Sequence, residues 1–325
     1  MDFLTSEILY KPAWMWLIFF VIVVILLALD LGLFHKEDKE IEVRESLYMT
    51  GFYFAVALCF GGWIWFEQGA TQGSDYLTGL LIEKSLSMDN IFVMSLVFAY
   101  FNIPRKYQHR VLFWGILGVI LMRGLMIGVG AALIREFHWI LYIFAAFLIY
   151  SGFKMLRFQE EAKEDIESNP ILKFVKSRFR VTPDLHGHQF FIRAPHAKDP
   201  ARTVWWCTPL FLALVSIECI DVVFAVDSVP AIFAITTDEY VVYTSNVFAI
   251  LGLRSLYFAL AAIIARFEYL DKALALVLVF IGAKVFLADF TETGKVPASL
   301  SLGVTIALLT GGIVYSLYKT RKKSD

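Results

Sequence analysis

Residues 80–98 read LLIEKSLSMDNIFVMSLVF, a stretch long and apolar enough to lie inside a membrane that nevertheless carries Glu83, Lys84 and Asp89. A charged residue near the centre of a membrane helix costs about 2.5–3.5 kcal/mol on insertion scales, so such residues face the interior of a bundle. The stretch also has an echo further along the chain. Setting IEKSLSMDNIFV (82–93) against IDVVFAVDSVPA (220–231) aligns Glu83 with Asp221, Asp89 with Asp227 and Asn90 with Ser228. The correspondence continues: MRGLM around Arg123 matches LRSLY around Arg254, and IYSGFKML (149–156) matches VFIGAKVF (279–286), which aligns Gly152 with Gly282 and Lys154 with Lys284.

The surroundings of both segments are those of a membrane protein. Of 325 residues 58% are hydrophobic and the mean hydropathy is +0.66, against roughly 45–50% apolar residues in a soluble domain. A window of about 20 residues finds nine candidate spans, at about 13–34, 47–66, 76–101, 110–134, 138–157, 206–230, 240–265, 271–290 and 298–318. Positive charge gathers after spans 1, 3 and 7, through 157–202 and at the C-terminus, while the opposite loops hold only Lys11, Arg135 and Lys295. By the positive-inside rule the N-terminus is outside and the C-terminus cytoplasmic, which an odd number of spans requires. The stretch from Met1 lacks a basic n-region and a small-residue cleavage site, so span 1 is expected to stay in place. A net charge of -1 points to no nucleic-acid partner, and Cys59, Cys207 and Cys219 have no framework spacing.

The expected fold is therefore all-α, a single polytopic membrane domain of about nine transmembrane helices. Residues 76–157 (spans 3–5) and 206–290 (spans 6–8) form two copies of a three-helix unit. A unit with three spans re-enters from the opposite side, so the copies are inverted about an axis in the membrane plane, an architecture of transporters. Residues 13–66 add two accessory helices and 298–318 a ninth. The charged connection 158–203 is a cytoplasmic loop, with a short amphipathic helix at 170–180 and two solvated histidines, His186 and His188.

Left facing lipid, Glu83, Asp89, Glu218, Asp221 and Asp227 would together cost on the order of 10 kcal/mol. They must point inward. A spacing of seven places Glu83 with Asn90, and Asp221 with Ser228, on one helical face. Each helix thus presents an oxygen-rich sector, and the pseudo-symmetry brings the two sectors together. Pro230 predicts a kink or unwinding beside Asp227 that would free carbonyls as further ligands. Oxygen donors without histidine or thiolate suit Mg²⁺, Ca²⁺ or Mn²⁺. Met88 would add a softer sulfur favouring Mn²⁺, although a methionine in an apolar span is more often packing. The bland alternative is that the acids pair with Lys84, Arg123, Lys154, Arg254 and Lys284 and only hold helices together. Structural pairing is the better reading for Lys154 and Lys284 near helix ends, while Arg123 and Arg254 stay open.

The segments EKSLSMDNIFV, ECIDVVFAVDSVPAIFA (218–234) and TSNVFAILGLRSLYF (244–258) resemble the signature segments of the TerC family of integral membrane proteins, and the full length is similar to its Alx branch, within the LysE superfamily of exporters. The resemblance implies Mn²⁺ efflux or supply of metal to exported enzymes. It carries over Glu83, Asp89, Asn90, Asp221, Asp227 and Ser228 as the metal site, with Asn246 a candidate further member; the residues' own chemistry adds Met88 and Glu218 as candidates.

The expected function is export of Mn²⁺ across the bacterial inner (plasma) membrane by alternating access, with protons a candidate coupling ion, since crowded, desolvated carboxylates resist ionisation. The other readings are a transporter of Ca²⁺ or another cation, an amino-acid exporter, or a donor of metal to exported enzymes in contact with the secretion machinery. An intramembrane aspartyl protease is disfavoured because no GxGD pattern is present, so no enzymatic activity is expected. Assembly as a homo-oligomer is left open.

Overall fold

The apolar runs become rods because a backbone in hydrocarbon must satisfy its hydrogen bonds within the segment. The computed structural model of the chain describes residues 7–8, 11–32, 43–137, 139–157, 180–196, 199–260, 270–288 and 297–324. A two-residue hairpin, β1 (Glu7–Ile8) with β2 (Lys11–Pro12), leads into α1 (Ala13–Gly32). There follow α2 (Val43–Gln68), α3 (Ala70–Tyr100), α4 (Arg105–Glu136) and α5 (Ile140–Arg157). A second hairpin, β3 (Phe191–His196) with β4 (Asp199–Cys207), precedes α6 (Pro209–Phe233), α7 (Glu239–Leu251), α8 (Leu253–Leu260), α9 (Leu270–Ala288) and α10 (Ala298–Ser324). With α7 and α8 nearly continuous, these are nine rods in the order the apolar runs predict. Among the described residues, six stretches are long and apolar enough to cross a membrane: Ala13–Asp30, Val43–Gln68, Arg105–Glu136, Pro209–Phe233, Glu239–Ala259 and Leu300–Lys319. The protein is an all-α polytopic membrane protein.

Several details depart from the sequence reading. The expected connection between spans 2 and 3 shrinks to Gly69, whose φ of 100° lies in the region glycine favours, and α3 starts at once. Its polar first turns stay helical, and Ser74 and Asp75 are buried there, with Asp75 facing Lys284 of α9. Lys284 is thus buried rather than at the interface, whereas Lys154 is exposed. Pro230 does not break α6, which runs unbroken to Phe233. The proline falls in the last turn, where the helix is about to end. The segment 199–207, expected as loop and the start of span 6, is a strand instead, and the helix expected at 170–180 lies outside the described residues.

Packing between the two three-helix units is reciprocal. The first helix of one lies against the second helix of the other, α3 along α7 and α6 along α4, and the third helices, α5 and α9, lie against each other. The α5–α9 contact is so close that a methyl on Gly152 would stand 2.6 Å from Val279 Cγ2 and 2.7 Å from the Ala275 carbonyl oxygen. A methyl on Gly282 would stand 2.8 Å from Ile149 Cγ1 and 2.6 Å from the Ala145 carbonyl oxygen. Each contact recurs with both residues exchanged for their counterparts in the other unit, and the numbering runs in opposite senses along the two helices. That is the signature of an antiparallel pair about a two-fold axis.

The accessory helices are fixed to this core by aromatic packing. Phe19 of α1 and Phe60 of α2 surround Phe248 of α7, with ring centroids 5.8 and 4.7 Å from it. Tyr240 and Tyr76 donate to backbone carbonyls of Met15 and Ala57, both at 3.1 Å, so each buried hydroxyl is satisfied.

Candidate functional site

Four helices meet at one buried point. From α3 come Glu83 and Asn90, from α6 Asp221 and Ser228, from α7 Asn246, and from α4 Arg123; none is more than 4% exposed. Of the six residues expected as ligands, Glu83, Asn90, Asp221 and Ser228 converge here, together with Asn246. The α3 and α6 backbones carry Asp89 and Asp227 beside Asn90 and Ser228, but the side chains of these two, and of Met88, lie outside the described residues.

Arg123 sits at the centre of the group. Its Nε donates to Asp221 Oδ2 at 3.3 Å and its Nη2 to Asp221 Oδ1 at 3.2 Å, a two-pronged grip on one carboxylate. Nη1 is directed to the Glu83 carboxylate, to Ser228 Oγ at 3.1 Å and to Asn246 Oδ1 at 3.2 Å. Asn90 Nδ2 donates to Asp221 Oδ1 at 3.3 Å. The sequence reading left this arginine unassigned. The signal was an arginine in the middle of an apolar helix, which must find carboxylates because hydrocarbon offers nothing else.

The polar accounting is incomplete in an informative way. Ser228 lies beside Glu83 as well, yet Glu83 Oε2 and Asn90 Oδ1 are buried with no donor at hydrogen-bonding geometry among the described residues, and Asn246 Nδ2 has no acceptor. A buried acceptor left unmet costs about 1–3 kcal/mol, so two together call for an explanation such as a ligand. What they can do chemically is coordinate a hard cation, because each offers an oxygen lone pair. Among the described residues no group of three or more acids, histidines or cysteines gathers at one point, so Glu83 and Asp221 are the acidic part of the described set.

Glu218 points elsewhere. Its carboxylate lies against Gly115 and Gly118 of α4, where a methyl on Gly118 would overlap it. It borders an apolar cavity of about 650 Å³ lined by Phe19, Val23, Trp114, Leu214 and Tyr243 among others. Lys84 also stands apart and donates to the Ala249 carbonyl of α7 at 3.0 Å. Arg254, the counterpart of Arg123, is turned away from the centre and pairs with Asp30 of α1. At one end of the bundle Lys11 Nζ lies 2.7 Å from Asp238 Oδ2, and Arg135 pairs with Glu239.

Comparison with known proteins agrees with this architecture. The model of the integral membrane protein TerC family matches residues 68–324. An uncharacterized membrane protein of Rickettsia felis is 46% identical over 304 residues, covering 94% of this chain and 97% of the relative. Another from Myxococcus xanthus is 43% identical over 307 residues, covering 94% and 93%. A Salmonella typhi protein named putative membrane-bound redox modulator Alx is 38% identical over 318 residues, covering 95% of each. No solved structure matches the chain.

Proposed function

Because the chain belongs to the TerC family of integral membrane proteins, we propose that it exports a hard divalent cation, Mn²⁺, across the bacterial inner membrane. The observation that carries this reading is the meeting of Glu83, Asn90, Asp221, Ser228 and Asn246 at one buried point, with Glu83 Oε2 and Asn90 Oδ1 unmet by donors. Carboxylate, amide and hydroxyl oxygens are the donor set of Mn²⁺, Ca²⁺ and Mg²⁺. Asp89 and Asp227, one residue away from Asn90 and Ser228, complete the proposed set, and Met88 tilts it toward Mn²⁺. The three thiols, by contrast, are on α2, β4 and α6 and take no part.

The reciprocal packing of the two units supports alternating access, in which one three-helix unit rocks against the other about a site at their interface. The distribution of positive charge orients the N-terminus outward and the C-terminus toward the cytoplasm. In that frame the Lys11–Asp238 and Arg135–Glu239 pairs lie on the outer side and tie β2, α4 and α7 together there.

The test is Mn²⁺ flux in proteoliposomes, with Ca²⁺, Mg²⁺ and Zn²⁺ as competitors and Asp89→Asn as the control. Flux that prefers Mn²⁺ and disappears in the variant supports the reading. Preference for Ca²⁺ replaces the substrate, and a tightly held ion without flux favours a metal donor to exported enzymes.

A further inference from the structure

We propose that Arg123 is a tethered counter-cation, a guanidinium that occupies the space between Glu83 and Asp221 when no ion is bound and that the transported dication must displace to load. The proposal rests on the dication reading of this site and deepens it.

Geometry makes the two cations exclusive. The oxygens that Arg123 engages, both on Asp221 and one on Glu83, are the ones an ion would take as ligands. A Ca²⁺ or Mg²⁺ ion needs its oxygens at about 2.0–2.6 Å, inside the 3.1–3.3 Å at which the guanidinium nitrogens hold Asp221, Ser228 and Asn246. An ion bound to both carboxylates would therefore stand where the guanidinium stands now. The oxygens that Arg123 does not engage, Glu83 Oε2 and Asn90 Oδ1, are unmet among the described residues. They offer an arriving ion its first contacts before the arginine is released.

Charge gives the device a purpose. A carrier has to pass through an empty state, and without Arg123 that state would bury two carboxylates in a low-dielectric centre with no compensating cation. With Arg123 the described group carries one net negative charge when empty, and the ion takes over the arginine's role when loaded. Symmetry sharpens the point. The repeat contains a second arginine, Arg254, but α1 holds it through the Asp30 carboxylate and the Asp30 backbone carbonyl. Of the two equivalent arginines, one is retained at the centre and the other is drawn to an accessory helix that lies outside the repeat.

The experiment is isothermal titration of Mn²⁺ into the purified full-length protein in lipid nanodiscs, for wild type, Arg123→Gln and Arg123→Lys, paired with flux in proteoliposomes. Removing the competitor is expected to tighten Mn²⁺ binding at least tenfold in Arg123→Gln while flux falls at least tenfold, because the ion no longer meets a cation that replaces it. Arg123→Lys keeps the charge and so the folded protein, but its single ammonium cannot grip Asp221 twice and reach Glu83 as well. It is expected to bind Mn²⁺ about threefold or more tighter than wild type. Binding in Arg123→Lys that is equal to or weaker than wild type overturns the proposal and makes Arg123 a structural strut, whether or not the glutamine variant folds. A wild type that binds Mn²⁺ sinks only this inference in that case, whereas a wild type that binds none of Mn²⁺, Ca²⁺ or Mg²⁺ sinks the transport reading with it.

Discussion

Arg254 reaches from α8 to the carboxylate of Asp30 near the end of α1 and donates to that residue's backbone carbonyl as well, with both side chains buried. The pair joins an accessory helix to the second repeat at a point where neither charge has water. Asp30→Ala strands the guanidinium and is expected to cost about 3–5 kcal/mol. The double variant Asp30→Leu, Arg254→Leu removes both charges and should recover most of that loss, since apolar packing replaces a buried pair at little cost. Thermal unfolding in detergent reads both, and equal loss in the single and double variants would mean that the cost comes from losing the pair's own interactions and not from a stranded charge.

The reciprocal glycines give a second test, independent of any ligand. A methyl on Gly152 meets the Ala275 carbonyl, and one on Gly282 meets that of Ala145, both backbone atoms that cannot swing aside. Gly152→Ala and Gly282→Ala should each destabilise by about 1–3 kcal/mol, by similar amounts because the contacts are equivalent. Gly62, in α2, has nothing near its missing side chain, so Gly62→Ala should be neutral or stabilising by about 0.5–1 kcal/mol. Melting shifts that are unequal for the first two would argue against the two-fold contact.

The nine rods were legible in the sequence because hydrophobic length is a compositional property, and the duplicated unit because its acids and glycines recur in register. What was not legible depends on three-dimensional partners. Arg123 and Arg254 occupy aligned positions in the two repeats, yet one takes Glu83 and Asp221 and the other Asp30, which α1, outside the repeat, supplies. Pro230 signalled a broken helix, but α6 runs on through it to Phe233 and forgoes only the one hydrogen bond to the Val226 carbonyl, a local loss that packing around the helix end overrides. The β3–β4 hairpin went unseen because charge in 158–203 masked the alternation around Val204 and Trp206, whose partners in the ladder are Ala194 and Ile192. Asp75 falls just before the expected start of span 3 at residue 76, yet it lies inside α3 and faces Lys284.

At the start of α7 the carboxylate of Asp238 caps the helix, accepting from the backbone N–H groups of Tyr240 and Val241 at 3.1 and 3.3 Å, and it meets Lys11 as well. Asp238→Ala should cost about 0.5–2 kcal/mol through the cap. Lys11→Ala removes the largely buried ion pair together with the Lys11 hydrogen bond to Gln68 Oε1, for which about 1 kcal/mol is expected. If these contacts hold the outer side closed, both substitutions should also change the rate of flux, and Lys11→Ala should do so out of proportion to its small effect on the melting temperature.

Asn90 separates a metal site from a packing knot more cleanly than the charged residues do. Asp221→Ala deprives Arg123 of its principal partner, so a loss of about 3–5 kcal/mol is expected and any loss of flux is ambiguous. Asn90 is neutral and makes a single 3.3 Å hydrogen bond to Asp221, with its Oδ1 unmet among the described residues. Inter-helix polar contacts of this kind in membrane proteins are worth about 0.6 kcal/mol on average and at most about 1.7, so Asn90→Ala should remain folded and inserted. If Oδ1 is a ligand, the same change should weaken Mn²⁺ binding and reduce flux at least tenfold. Asn90→Asp, which keeps the oxygen and adds charge, should retain binding and alter the preference among Mn²⁺, Ca²⁺ and Mg²⁺. Unchanged flux in Asn90→Ala would instead make the unmet oxygen a feature of packing and move the ion away from the α3–α6 crossing.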